Sequence, residues 1–456
     1  LQKTVDTALS AKQEEYKETA HGDSLISDIL PAGKVKSVKS DKKNRITEFK
    51  LSNGAKVIAM NTDYKNDEIL ISAISSGGSS LVSDNQWASS EVSCAIAANS
   101  GLGEFSRIEL SHLLKGKNAS VKPFIDTYSE GFTGASTRKD IETAFQLIHL
   151  YFTKPRFELD AYESYMERLE NAIKNQENSP DAAFIKAFKS LITQNHPRGR
   201  YMDMDVFKEI NFEDTSGIFK ERFADPSDFT FVFVGSLNAD QIKELSEKYI
   251  ASIPSKGITE TWKDVGLRLP EGKQENKVFK GSDFKSQVIT MMRGNYHNSI
   301  KEDIYLDALA YILDMRLMEV IRESLGGTYS INAYTSSTLI PVEEYMINIY
   351  YGCSPLRVEE LNRTITAEIE NLKNEIPEEY LEKFKAARLE DHKKRIKDNS
   401  WYLSRLTDCA FNGKSMSSSD RYPDNLEKLT VKKLQRKAKK YFNTDNMLSV
   451  VLYPEE

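Results

Sequence analysis

Residues 321 to 337 read IRESLGGTYSINAYTSS. Immediately before them, the run from Ile304 to Val320 places Ile304, Leu306, Leu309, Ile312, Leu313, Met315, Leu317 and Val320 on more than one helical face. That is the pattern of a helix enclosed between layers, and Arg322 stands at its mouth. Gly326 and Gly327 can take positive φ and allow close backbone approach. The following Thr-Tyr-Ser-Ile-Asn-Ala-Tyr has the β-branched and aromatic content of a strand. Strand alternation puts Tyr329, Ile331 and Ala333 on one face. The stretch therefore predicts a helix, a glycine hinge and a strand, with Arg322 and Tyr329 as the pair to follow.

The chain has 456 residues, two to three times an ordinary domain, so at least two cores are expected. With 39% hydrophobic and 29% charged residues it reads as globular, and no run of about 18 apolar residues is present to span a bilayer. A net charge of -6 gives no overall field for nucleic acid, and the basic run Lys34, Lys36, Lys39, Lys42, Lys43, Arg45 is interrupted by Ser, Val and Asp. We read that run as a solvated linker. Cys94, Cys353 and Cys409 are too few and scattered for a disulfide framework or a paired-cysteine metal site. The chain opens on Leu1, and its first twenty residues have helical character without the zones of a signal peptide. A fragment of a longer protein is expected.

Residues 1–45 suggest a helix and a charged connector. From Ile46, a strand, an Asn53-Gly54 turn and a second strand form a hairpin, with a third strand starting near Glu68. Helices follow near Asn85 to Asn99 and Ser106 to Leu114. Two strands are expected around Ser120 to Ser136, and long helices over Ile141 to Thr153 and Asp160 to Gln176. FTFVFVG, from Phe229, is a fully apolar strand, and Asn238 to Ile250 a helix.

The second half repeats this order. The stretch from Gly134 (GASTRKDIETAF) and the stretch from Tyr351 (YGCSPLRVEELN) each run from a strand end into a helix, a short break and a long amphipathic helix. Each copy closes on an apolar strand, FTFVFVG or MLSVVLY (Met447 to Tyr453). The fold class expected is α+β, with two tandem homologous domains, each a mostly antiparallel sheet packed with helices. Their expected limits are 46–253 and 287–456, with residues 254–286 as a polar linker and strand lead-in.

Several stretches carry a family resemblance: LSNGAKV at Leu51, TDYKNDEI at Thr62, GLGEFS at Gly101, LYFTKPRF at Leu150 and ERFADPSDFTFVFVG at Glu221. Together with the Arg, Gly-Gly and Tyr order at 322–329, the chain resembles the C-terminal half, domains three and four, of a pitrilysin or insulysin-type zinc metallopeptidase of the bacterial periplasmic kind. The resemblance implies a clamshell partner, the N-terminal catalytic half, that holds the zinc. It also implies an unfolded peptide as substrate, a periplasmic setting, and Arg322 and Tyr329 as substrate-binding residues.

The family's zinc motif, His-x-x-Glu-His on one helix, is missing. The six histidines, His21, His112, His149, His196, His297 and His392, are far apart, and the matching helix reads NQWASSEVSC from Asn85. Glu91 remains there, and a lone carboxylate on a helix is usually solvated or capping. No metal and no catalytic residue are expected on this chain alone. His149 in FQLIHLYF reads as a core histidine, His196 to Arg200 as a polar turn, and Pro377 to Lys397 as a solvated amphipathic helix. The sequons at Asn118 and Asn362 match a pattern that arises often by chance.

In a closed chamber, a guanidinium and a phenol can hydrogen-bond a substrate carbonyl and the oxygen that gains charge in the tetrahedral intermediate. The competing reading has Arg322 capping its helix and Tyr329 as an ordinary strand aromatic. At the level of the whole chain, the alternative is a catalytically inactive homologue acting as a scaffold or partner-binding subunit.

Overall fold

The computed structural model describes residues 24–31, 33–328, 330–414 and 421–455. Twelve strands among these residues form two sheets, seven strands in the first and five in the second. In chain order they are β1 (Val35–Asp41), β2 (Ile46–Leu51), β3 (Lys56–Asn61), β4 (Ile69–Ser76), β5 (Ala119–Ile125), β6 (Ser129–Ser136) and β7 (Thr230–Gly235). The second sheet uses β8 (Gln274–Phe279), β9 (Ser286–Asn295), β10 (Ile331–Thr338), β11 (Glu344–Cys353) and β12 (Met447–Tyr453).

The strand orders are β1-β2-β3-β7-β4-β6-β5 and β8-β12-β9-β11-β10. Apart from β1 and β2, the two sheets have the same topology. The closing strand of each slots between the first and second strands of its unit, pairing parallel with the first (β3·β7, β8·β12) and antiparallel with the second (β4·β7, β9·β12). The expected mostly antiparallel α+β architecture and its internal repeat are thus present. The Asn53-Gly54 turn joins β2 to β3, with Gly54 at φ +102° and the Asn53 side chain donating to the Ile250 carbonyl at 2.8 Å.

Two connectors differ from expectation. Val35–Asp41, read as linker, forms the edge strand β1, because its backbone pairs with β2 while its side chains stay largely exposed to water. The polar run after Pro254 is strapped to the first sheet through side chains that its own composition does not reveal. Asp225 accepts from Ser255 Oγ and the Lys256 amide, both at 2.7 Å, and the Trp262 ring meets Tyr128 edge-on at 5.4 Å.

The sequence reading also passed over the helices Pro180–Ile192 and Asn399–Asn412. These occupy matching places after the two long helices of each half, and they are exchanged. Asn399–Asn412 lies on β4 and β7 of the first sheet, whereas Pro180–Ile192 lies on β8 and β12 of the second. Leu406 enters a buried cluster with Ile46, Met60, Val232 and Val234; Phe184 enters one with Ile289, Val450 and Leu452. This explains why FTFVFVG is apolar throughout. Phe231 and Phe233 face the first core, where Phe233 stacks on Phe145 at 4.8 Å, and Val232 and Val234 need cover on the opposite side.

Truncating Leu406 to Ala leaves a hole beneath the exchanged helix, so urea denaturation should show a loss of about 3 kcal/mol. Leu389→Ala, at a position 39% exposed, should change the midpoint little. Equal effects of the two substitutions would mean that the exchanged helix does not hold the halves together.

Candidate functional site

Helix Ile300–Leu317 is capped by Ser299, whose Oγ accepts the Glu302 amide at 3.3 Å, and its buried side chains face both the second sheet and neighbouring helices. It widens into a π-helical turn over Met318–Ser324. Ile321 is fully buried and anchors the turn, whereas Arg322 is exposed, with Nη1 3.3 Å from Met318 Sδ one turn earlier. The chain then reverses. Gly326 takes φ +54°, and the Gly327 amide donates back to the Ile321 carbonyl at 2.8 Å. A Cβ on Gly327 would fall 2.7 Å from Leu361 Cδ2, which would have to move aside to admit it. Tyr329 lies outside the described residues.

The capping role weighed for Arg322 falls to Arg357. Its Nη1 donates to the carbonyls of Leu325 at 3.1 Å and Gly326 at 3.2 Å, while Nε and Nη2 form a fork with Glu360, each at 3.0 Å. Thr328 Oγ1 donates to the Gly352 carbonyl of β11. The hinge is therefore held from two sides, and β10 leaves it as an edge strand that, among the described residues, pairs with β11 alone. Ile331 and Ala333 are buried and Tyr334 is half exposed, as the alternation predicted. Asp314 Oδ1 accepts the Ala333 amide at 2.7 Å.

The corresponding helix of the first sheet, Trp87–Asn99, lies between β4 and β5 as Ile300–Leu317 lies between β9 and β10. It presents Ser89, Ser90, Val92 and Ser93 as buried residues. Ser93 Oγ donates to the Thr215 carbonyl at 2.7 Å, and Ser90 Oγ to the Trp87 carbonyl at 2.6 Å, so both hydroxyls are already engaged. Glu91 is open to solvent yet crowded by protein. Desolvation pushes its carboxyl above the ordinary range, with Lys189 opposing and Asp126 adding to the shift. Among the described residues no three His, Cys, Asp or Glu side chains converge to hold a metal ion. Serine and valine at these places do not fit a zinc site. His149 is a core histidine: Nδ1 lies 2.7 Å from the Tyr249 carbonyl, and burial lowers its basicity. The three cysteines are free thiols.

A buried ionic cluster beneath the strap gave no signal in the sequence, because its members are far apart in the chain. Glu130 is 1% exposed and Arg222 3% exposed. Arg222 forks onto Glu260 at 2.8 and 3.2 Å, and the Gly78 amide donates to Glu130 Oε2. Burial pushes the Glu130 carboxyl up to about 7, against the pull of the Gly78 amide and the Arg222 charge. Glu260 belongs to the strap, and the Trp262 and Lys263 amides donate to Ser76 and Ser80 at 3.2 and 3.0 Å. The cluster fastens the connector to the end of the first sheet.

Residues 218–388 match the family described as the peptidase M16 inactive domain. The chain is similar in sequence to zinc proteases of the PqqL kind over most of its length. A probable zinc protease PqqL from Haemophilus influenzae is 23% identical over 381 residues, which is 83% of this chain and 40% of that protein. The periplasmic protease PqqL from Escherichia coli superposes with a TM-score of 0.83 at 20% identity, over 99% of this chain and 50% of that one. The first half of the same Escherichia coli protein superposes with a TM-score of 0.71 at 12% identity, covering 91% of this chain and 93% of that one. The chain thus spans less than half the length of the curated relatives it matches, and its fold is also that of the first half of the Escherichia coli protein.

The raised Glu130 carboxyl sets a pH dependence. The folded protein holds this proton up to about pH 7, whereas the unfolded chain releases it near 4.5. The stabilisation is therefore complete below the unfolded value and is lost as pH rises through the folded one. Glu130→Gln should flatten the fall in urea midpoint between pH 4.5 and 7, a change on the order of 1–3 kcal/mol. An unchanged slope would place the proton elsewhere.

Proposed function

We propose that this chain is the zinc-free C-terminal half of a zinc metalloendopeptidase, forming one wall of a chamber for unfolded peptides. In this reading residues 46–253 and 287–456, with β1 and β8 joined to their sheets from the preceding segments, are two pitrilysin-like domains, and the segment before them leads from an N-terminal half that carries the zinc. The setting is the periplasm, as for the periplasmic protease PqqL of Escherichia coli. Arg322 and Tyr329 are the substrate-binding residues: they meet a peptide carbonyl and the oxygen that gains charge when the scissile bond is attacked.

The observation that carries this reading is the state of Arg322. It sits beside a rigidly held hinge, exposed, and relieved of helix capping by Arg357. With no ion pair to Arg322 among the described residues, a guanidinium so placed is available to a ligand. The chain's own residues bind and orient; the bond-breaking chemistry belongs to the zinc of the other half, which supplies an activated water when bound.

The test is hydrolysis of an unstructured fluorogenic peptide by this chain alone and mixed with the N-terminal half of its parent. Activity is expected only in the mixture. Arg322→Ala or Tyr329→Phe should lower kcat/KM about a hundredfold or more, the range seen when an oxyanion donor is lost. If assembly is complete and both variants keep full activity, the chain is a scaffold or partner-binding subunit. Zinc-dependent hydrolysis by the chain alone would overturn both readings.

A further inference from the structure

A cavity of about 200 Å³ lies where four elements of the second half meet: the end of helix Glu378–Arg395, the start of the exchanged helix Asn399–Asn412, the short helix Tyr422–Glu427 and the first turn of Ile300–Leu317. Three arginines line it, and they are not equivalent. Arg388 is committed, with Nε and Nη2 each 2.6 Å from an oxygen of Asp307 and Nη1 3.3 Å from Asp391. Arg395 and Arg405 have no carboxylate within ion-pair distance among the described residues. Arg405 Nε is moreover buried with no hydrogen-bond partner, an arrangement proteins rarely leave unanswered.

The wall opposite is aromatic. Arg405 lies over the Trp401 ring at 6.0 Å, Trp401 meets His392 edge-on at 6.2 Å, and His392 stacks on Tyr422 at 5.1 Å. Burial and the neighbouring Arg395 charge keep His392 below its ordinary basicity, so its ring is a neutral surface near pH 7. Of the two acids in the lining, Asp391 is paired with Arg388, and Asp303 accepts the Tyr296 hydroxyl. That hydroxyl does not neutralise Asp303, whose carboxylate feels the Arg405 charge, so what Arg395 and Arg405 offer the cavity is guanidinium hydrogen-bond donors free of a direct carboxylate contact among the described residues rather than a large net positive charge.

We propose that this cavity binds a small ligand bearing a carboxylate or phosphate on a flat ring. Arg395 and Arg405 take the oxyanion, and the ring lies against Trp401, His392 and Tyr422. Guanidinium groups match such oxyanions in geometry and charge, and the aromatic wall adds contact area that a bare ion cannot use. The volume admits about one ring with its charged group and excludes a folded partner. A ligand held here would join the Glu378–Arg395 helix, through His392 and Arg395, to the helix that covers the first sheet, through Trp401 and Arg405. The site is separate from Arg322 and stands whether or not that residue meets substrate.

Trp401 is a built-in reporter. The 456-residue chain, at constant ionic strength, is titrated with benzoate, phenyl phosphate and inorganic phosphate, each followed by tryptophan fluorescence and by calorimetry. Saturable binding of benzoate or phenyl phosphate below about 10 mM is expected, and whichever is tighter identifies the charged group. Arg405→Ala and the milder Arg405→Gln should each weaken binding about tenfold or more with unchanged circular dichroism. Trp401→Phe should abolish the fluorescence change while calorimetric binding persists. Phosphate binding as tightly as phenyl phosphate would overturn the role of the aromatic wall. Absence of saturation, or binding indifferent to both Arg405 substitutions, would overturn the site.

Discussion

The exchange of one helix between the two halves is the constraint on which the rest of the molecule rests. β7 and β12 are apolar on both faces, and a sheet strand of that kind has to be covered twice. In each half the inner face is covered by local helices, and the outer face by a helix that leaves one half and docks on the other. Polar groups follow the same route without being stranded. Asn399, fully buried, bridges Thr62 at 2.5 Å and Glu68 at 3.0 Å, while Gln287 links Asp181 and Tyr350 at 2.5 and 2.7 Å. Each sheet therefore depends on the other half for its second layer, and their mutual placement is set by side-chain interdigitation rather than by the connector alone.

The two equivalent helices of the repeated unit carry different content. Trp87–Asn99 and Ile300–Leu317 occupy the same slot between the second and third strands of the repeated unit. In the first, serine hydroxyls turn back onto backbone carbonyls and leave no ligand set. In the second, the helix loosens into a π turn and projects Arg322, while Arg357, Leu361 and Thr328 take over the structural work of the hinge. Division of labour between Arg357 and Arg322 explains how a charged side chain can stand at a helix end without serving as its cap.

Local pattern made much of this legible. Alternation and the Asn-Gly turn located β2 and β3, helical periodicity placed Ile141–Thr153, and the glycine pair marked the reversal after Ile321. What escaped was of two kinds. The edge strand β1 is polar on nearly every position, so it has no alternation to read. The ion cluster of Glu130, Arg222 and Glu260, and the cavity of Arg395, Arg405 and Trp401, consist of residues unremarkable in their own neighbourhoods, and become chemistry only when the chain brings them together.

The sequence by itself determined the element types, the repeat, the lack of a zinc-binding helix and the position of the Arg322 hinge, because each is written in residues within a few turns of one another. Only the tertiary structure decided which helix covers which sheet, which arginine caps the hinge and which charges remain unanswered. Those outcomes depend on contacts between residues from tens to hundreds of positions apart, as between Arg357 and Leu325 or Thr62 and Asn399, and burial and pairing at such distances leave no local periodicity in the chain.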